Sequence, residues 1–438
     1  MTVVGIISEY NPLHQGHAYH LENARKKAEA DACVCVLSSS FVQRGEPALL
    51  SKWARARMAI SAGADLVLEL PSAFSCASAE YFASGAVRIL ESLNCVNYLC
   101  FGSEAGILTD LEQAAQALAF ESHDFKFHLK KALDEGLSFA VARQKAFQAI
   151  QPNEKNFNNS VIAATSTSSN APNSIADILN KPNNILGIEY IKAIKRMGGS
   201  MVPLTVERKG EGYHSLVQTS SFASATAIRK YLADAPAPIC FESDAFLHNN
   251  LPQSSLEILS CEFAQGRGPV FLDAYEAIIL YLLRSSTGKA LSDLPYMGEG
   301  LENRLKEAAL KSASLKELVS SVVTSRYPAS RIKRILCALL TGLTGEFLEV
   351  LKGNGYAQYI RVLGFNETGR KLLAGIKKKV QLPIITKPAN YTKLENPLAK
   401  RLFELEIRAT DSYVLGYVNP TERLGGTEFN ASPVFIKS

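Results

Sequence analysis

Two histidines three positions apart, His14 and His17, flank Gly16 just beyond a short apolar run at residues 2–8, TVVGIIS. Asn11 and Pro12 turn the chain between the run and the histidines, and a helix is expected to begin near His17. A strand that ends in a turn and a helix start aims free backbone N–H groups and the positive end of a helix dipole past the strand's end, where phosphate binds well. Gly16 is expected to let a ligand approach the backbone. Imidazoles at that place can donate to phosphoryl oxygens and stabilise the charge of a five-coordinate phosphorus. His20 lies one helical turn further on. A metal site made of the three histidines is weighed and set aside, because no cysteine is near and a turn running into a helix converges poorly on one ion.

A second candidate lies at residues 222–229, FASATAIR. Ser224 or Thr226 can cap a helix through its hydroxyl. Arg229 is unfavourable for the dipole so near a helix start, but suits a bidentate grip on the β- and γ-phosphates of a nucleotide. A third, FVQRGEPALLSKWAR, places Gln43, Arg44, Gly45 and Glu46 in a loop over the same pocket. Lys52 and Arg55 in that stretch are candidates for reaching phosphate or a carboxylate, with an ordinary solvated helix face as the alternative.

The elements that must position these residues alternate. Strands are expected at residues 2–8, 31–38, 65–71, 96–102 and 200–208, and helices at 17–30, 52–64, 74–93, 184–197 and 224–234. This alternation implies an α/β fold, Rossmann-like, with a parallel sheet covered on both faces and ligands at the carboxyl ends of its strands. Residues 151–182, rich in Asn and Ser, read as a loop or insertion. The two prolines of ADAPAPICF, Pro236 and Pro238, mark a boundary, so a catalytic domain is expected at 1–235 and a mostly α-helical one at 236–438. In that second half strands are expected only late, at PIIT and VLGYV.

Composition is that of a globular chain, with 47% apolar and 20% charged residues. No basic leader followed by an apolar stretch and no membrane-length apolar run is apparent, so a cytoplasmic protein without a membrane partner is expected. The eight cysteines contain no C-x-x-C pair and read as small buried hydrophobes, with Cys33 and Cys35 on one face of a strand. The net charge of +5 conceals an asymmetry: residues 300–401 carry a net +12 and the rest −7. Acid-free stretches between Glu317 and Glu346 and between Glu367 and Glu395 hold Arg326, Arg331, Lys333 and Arg334, then Lys377 and Lys378. Such a module fits a polyanion, with Tyr327 and Tyr391 available to stack on unpaired bases.

The His14-x-Gly16-His17 turn resembles the H-x-G-H signature of the nucleotidyltransferase superfamily, and SATAIR its second signature. Longer stretches are similar to the bacterial tRNA(Met) cytidine acetate ligase family: EYNPLHQGHAYHL, FVQRGEPALLSKWARARMAISAGADLVLELP, AEYFASGAV, FGSE, PNNILGIEYIKAI, GYHS, EGLENRLKEAA and YIRVLGFNETGR. The resemblance covers most of the chain. It implies activation of acetate by ATP to acetyl-adenylate, then acetylation of the wobble cytidine of elongator tRNA(Met) to N(4)-acetylcytidine, with Mg2+ expected beside ATP. The ATP site it implies comprises Ile7, Ser8, Glu9, Tyr10, Asn11, Pro12, Leu13, His14, Gln15, Gly16, His17, Ala18, Tyr19 and His20, then Gly102, Asn184 and Arg208, with Ser224 and Thr226 at the second helix start. His14, His17 and Arg229 are the expected catalytic groups. Ser39 and Ser40 stand where the family usually has Gly-Asn. Two other classes fit parts of the pattern: a small-molecule nucleotidyltransferase, which needs no basic module, and a non-catalytic RNA-binding protein, which needs no intact histidine turn.

Overall fold

The computed structural model describes the chain except for residues 105, 121, 138, 151–180, 209–221, 236–238, 299, 378 and 438. The expected insertion at 151–182 therefore falls outside the described residues but for its last two positions, as does the GYHS stretch.

Five strands run parallel: β1 (Val3–Ser8), β2 (Ala32–Ser38), β5 (Leu66–Leu70), β6 (Tyr98–Ser103) and β7 (Val202–Glu207). Between β2 and β5 a two-stranded hairpin, β3 (Phe41–Val42) with β4 (Glu46–Pro47), stands apart from the main sheet. The parallel strands lie in the order β5-β2-β1-β6-β7. The chain thus builds outward in one direction from β1 and then returns to build in the other. The order reverses between β1 and β6, which opens the crevice where a doubly wound sheet binds ligands.

The alternation of side chains explains the burial. Val34 and Val36 of β2 belong to one apolar cluster, and Cys33, Cys35 and Leu37 to the other. Each face of the sheet is covered, which is why the strands read as continuous apolar runs rather than alternating ones. The paired cysteines are two buried thiols on one face, as expected.

The second half is mostly helical but is built onto the same sheet. β8 (Ile360–Phe365) pairs antiparallel with β5, β9 (Ile384–Ile385) pairs with β8, and β10 (Val434–Phe435) closes that edge. The sheet does not end at residue 235. Strand β8 escapes the sequence pattern because it sits inside the basic region, with Arg361 fully buried in it. The VLGYV stretch forms no strand. It finishes the helix Pro397–Val414 and passes into a turn, because Leu402, Leu405, Ala409 and Tyr413 fill the core at helical spacing up to that point. The expected helix at 74–93 is two helices, Ser72–Ser75 and Ala79–Ser92.

Candidate nucleotide site

Helix α1 (Gln15–Lys27) follows β1 across the turn Glu9–Leu13, and His14 is its N-cap. The His14 ring does the capping. Its Nδ1 accepts from the Gly16 N–H at 3.1 Å, and the His14 N–H donates to His17 Nδ1 at 3.3 Å. The two rings stack with centroids 3.8 Å apart. In a neutral imidazole one nitrogen accepts and the other carries the proton. With both Nδ1 atoms accepting, both protons sit on Nε2. Burial, and then the Arg208 guanidinium, pulls His14 down to about 4. Burial, then His14 and Arg208, holds His17 well below its ordinary value. The pair is therefore neutral near pH 7, with each Nδ1 accepting from the backbone and each Nε2 carrying the proton, and a hydrogen bond to the Pro12 backbone offsets part of the lowering of His17. Gly16 plays a different part from the one expected of it. A Cβ there would lie 2.9 Å from His14 Cε1, so glycine is what lets the His14 ring fold over the helix start.

The rest of the implied run divides. Tyr10 and Leu13 are fully buried core residues, and Tyr10 meets His17 edge-on at 5.0 Å. Their side chains support the turn from within the core. Tyr10 holds φ at +44°, left-handed backbone that is strained for a tyrosine and typical of functional turns. Ser8 Oγ lies 3.2 Å from Cys35 Sγ, and Gln15 Nε2 donates to the Leu251 carbonyl at 3.2 Å. Ile7 lies in β1, Pro12 in the turn, and Ala18 and Tyr19 in α1; Pro12 is buried and the other three are half-buried. Burial, then Arg208, holds His20 at about 4, with its Nε2 3.8 Å from Cys100 Sγ. Glu9 accepts from the Gln43 N–H at 2.9 Å, and burial raises its carboxyl above the ordinary range despite Arg44, Arg55 and Arg229 nearby.

Across the crevice, Gly102 ends β6 against the Arg208 side chain, where a Cβ would meet Arg208 Cγ at 3.1 Å. Arg208 Nη1 donates to Asn183 Oδ1 at 2.9 Å. Asn184 sits in the first turn of the helix Pro182–Met197, and its Oδ1 accepts from the Glu104 N–H at 3.0 Å. The Glu104 carboxylate returns to the Asn184 N–H at 2.9 Å and the Asn183 N–H at 3.2 Å, an anion on a helix N-terminus. Glu104 closes the FGSE stretch, and nothing local in the sequence marks it for this role. The pair Asn183–Asn184, spaced to face a carboxylate, was the available signal.

The second helix start is capped as expected. Ser224 Oγ accepts from the Ala227 N–H at 3.2 Å, opening the helix Ala225–Asp234. Thr226 Oγ1 bonds Arg44. Arg229 donates to Asn11 Oδ1 at 3.0 Å and to Glu46 Oε2 at 3.3 Å, with its guanidinium 5.3 Å from the centre of the Phe271 ring. Asn11 also accepts from the Leu49 N–H, so it brackets Arg229 to the turn.

Lys52 and Arg55 do not reach the site. Arg55 is fully buried and donates to the backbone carbonyls of Leu50, Glu9, Ser38 and Ser39, tying the ends of β1 and β2; burial lowers it to about 10. Lys52 is sealed between Glu69, Glu406 and Glu428. Ser39 joins that buried cluster through Glu69 at 3.0 Å and through Glu406, and the Ser40 carbonyl accepts from the Ala48 N–H. Neither serine stands in for an asparagine at the site.

The basic residues also divide. On the helix Ala329–Thr341, Arg331 donates to the Tyr296 carbonyl at 2.9 and 2.7 Å, Lys333 pairs with Glu46 at 2.7 Å, and Arg334 donates to the Gln43 carbonyl at 3.1 Å. Lys333 and Arg334 grip the β3–β4 hairpin, and Arg331 is tied to the segment at Tyr296. Tyr327 is buried and Tyr391 stacks on Phe403 at 5.1 Å, so both aromatic rings are committed to the protein. Arg326 and Lys377 are exposed, and Lys378 lies outside the described residues. Among the described residues there is no group of three His, Cys, Asp or Glu able to hold a metal. No described helix is long and apolar enough to cross a membrane.

Residues 1–428 match the family described as HIGH Nucleotidyl Transferase. A protein of Acetivibrio thermocellus named tRNA(Met) cytidine acetate ligase is 44% identical over 436 residues, covering 100% of both chains. One of the same name from Caldanaerobacter subterraneus subsp. tengcongensis is 42% identical over 420 residues, 96% of each chain. The crystal structure of Thermotoga maritima TmcAL bound with alpha-thio ATP has a TM-score of 0.87 at 33% identity, covering 100% of both chains. A neutral histidine pair at the switch point of this sheet and likeness along the whole chain lead to one conclusion: the protein belongs to the tRNA(Met) cytidine acetate ligase family of HIGH-type nucleotidyl transferases.

Proposed function

We propose that this protein is an ATP-dependent ligase that makes acetyl-adenylate and transfers the acetyl group to the wobble cytidine of elongator tRNA(Met), giving N(4)-acetylcytidine in the cytoplasm. The observation that carries the reading is the stacked, neutral His14–His17 pair at the end of β1, with Nε2–H fixed on both rings.

In the first step a carboxylate oxygen of acetate attacks the α-phosphorus and the bond to pyrophosphate breaks. Charge builds on the α-phosphate oxygens, and the Nε2–H donors of the pair meet it, that of His17 exchanging the Pro12 carbonyl for a phosphate oxygen. Arg229 and the capped start of its helix hold the departing pyrophosphate. No covalent enzyme intermediate is needed, because positioning supplies the rate. Magnesium belongs to this proposal as a companion of the phosphates. The described residues offer it no carboxylate cage, which suits an ion that keeps its waters and phosphate oxygens. In the second step the cytidine N4 attacks the acetyl carbonyl, its C–O bond to AMP breaks, and N4 gives up a proton. The exposed cations Arg326 and Lys377 are the proposed RNA contacts on the basic half, joined by Lys378, which follows Lys377 in the sequence.

The test is a reaction with labelled acetate, ATP and total tRNA, followed by digestion to nucleosides. The reading requires label in N(4)-acetylcytidine from tRNA(Met) alone. Label confined to a nucleotide product would favour a small-molecule nucleotidyltransferase instead.

A further inference from the structure

Glu46 is a carboxylate with two cations. Its Oε1 pairs with Lys333 Nζ at 2.7 Å and its Oε2 with Arg229 Nη2 at 3.3 Å. It is placed to do so by the β3–β4 hairpin, whose tip is pinned to the helix Ala329–Thr341. Gly45, at φ +77°, lies so close to that helix that a Cβ would come within 2.4 Å of the Arg334 nitrogen and 2.6 Å of the Lys333 carbonyl carbon. Backbone meets backbone there, so the hairpin cannot move without the helix. Burial pushes Glu46 up, but the Lys333 hydrogen bond and the charge of Arg229 outweigh it and leave the carboxyl below its ordinary range. Glu46 is ionised at neutral pH. Asn11 fixes the other terminal nitrogen of Arg229. The guanidinium is thus held from two sides, by the histidine turn and by the hairpin.

We propose that Glu46 is a positioning residue for Arg229, and that Lys333 makes the helix Ala329–Thr341 part of the nucleotide site by holding Glu46. The proposal rests on the reading of Arg229 as the group that grips the polyphosphate. A carboxylate beside a phosphate-binding arginine is a competitor for it, and a chain that served only affinity would leave it out. Its use is geometric. It fixes the fork of Arg229, and Lys333 offsets the negative charge that would otherwise repel the phosphates.

The experiment is a double-mutant cycle on the full-length protein, reading the Kd of a non-hydrolysable ATP analogue and the kcat and KM of acetate-dependent pyrophosphate exchange. Glu46→Gln is expected to weaken analogue binding about fivefold and to lower kcat more than it raises KM, while thermal unfolding stays close to wild type. In an Arg229→Ala background the same change is expected to have almost no further effect, because the residue it positions is gone. Lys333→Met is expected to reproduce part of the Glu46→Gln loss, and Glu46→Asp, too short to span both cations, to rescue little of it. Equal losses in the two backgrounds, or no loss from Glu46→Gln in either, overturn the proposal. The binding arm decides the matter by itself. If wild-type protein binds the analogue but exchanges no pyrophosphate with any carboxylate, the ligase reading fails while the cycle still judges Glu46.

Discussion

Within ten residues of one another, Glu46 and Lys52 enter two ionic clusters of opposite character. Lys52 is sealed with Glu69, Glu406, Glu428 and Arg361, every member essentially without solvent exposure. Glu46, with Arg229 and Lys333, is partly open, at 24% side-chain exposure. The sealed cluster has three carboxylates for two cations. Burial and then Glu406 push Glu69 up to about 8, so it keeps a proton that balances the charges. Burial alone would pull Lys52 down, but the three carboxylates outweigh it and raise it. The open cluster has the reverse excess, two cations for one carboxylate, on the wall of a crevice that is expected to receive a polyanion. Buried charge settles to neutrality, while surplus charge is kept where a ligand will meet it.

The largest break in this comparison is Lys52→Met. It leaves Glu69, Glu406 and Glu428 without their shared cation, at a cost of about 3–5 kcal/mol, and little folded protein should survive in a thermal unfolding assay. A next effect separates binding surfaces. Arg326→Ala with Lys377→Ala should weaken tRNA binding and lower the slope of log affinity against log salt by about 1 per lost phosphate contact, with adenylate formation intact. Unchanged slope would place the RNA elsewhere.

The smallest effect is on pH dependence. Between about pH 4 and 6.5 the unfolded histidines at 14 and 20 bind protons that the folded ones refuse, so stability should rise with pH across that window. Glu69 acts oppositely. Unfolded, it releases its proton near pH 4.5, whereas folded it keeps it to about 8, so its contribution falls as pH rises through that range. Glu69→Gln imitates the protonated form. It should flatten the decline between pH 6.5 and 8 in a series of urea unfolding midpoints while changing stability at pH 6 by about 1 kcal/mol or less.

The comparison also explains what could be read in advance. The parallel strands, the histidine turn, the Ser224 cap and Arg229 were legible because each is set by local pattern: apolar runs, a glycine, a hydroxyl before a helix. Lys52 and Arg55 looked like further ligands of the site because nothing local distinguishes a solvated cation from a sealed one. Their partners, Glu406 and Glu428 for Lys52 and strand-end carbonyls for Arg55, come from distant contacts. Strand β8 was missed for the same reason, since its Arg361 is neutralised by Glu428 some 67 positions away. The basic residues of the helix Ala329–Thr341 were legible as charge but not as placement. Lys333 and Arg334 hold the hairpin and Arg331 holds the Tyr296 carbonyl. Gly16 was seen, but the ring that needs it is the one two residues before it.

The central claim is that the neutral His14–His17 pair stabilises the α-phosphate while a carboxylate displaces pyrophosphate. The most direct measurement is acetate-dependent exchange of labelled pyrophosphate into ATP, without tRNA, in wild type and His17→Ala. The account predicts exchange in the wild type and a fall of about 100- to 1000-fold in the variant, with folding unchanged by circular dichroism. Exchange at the wild-type rate in a folded His17→Ala protein would contradict it.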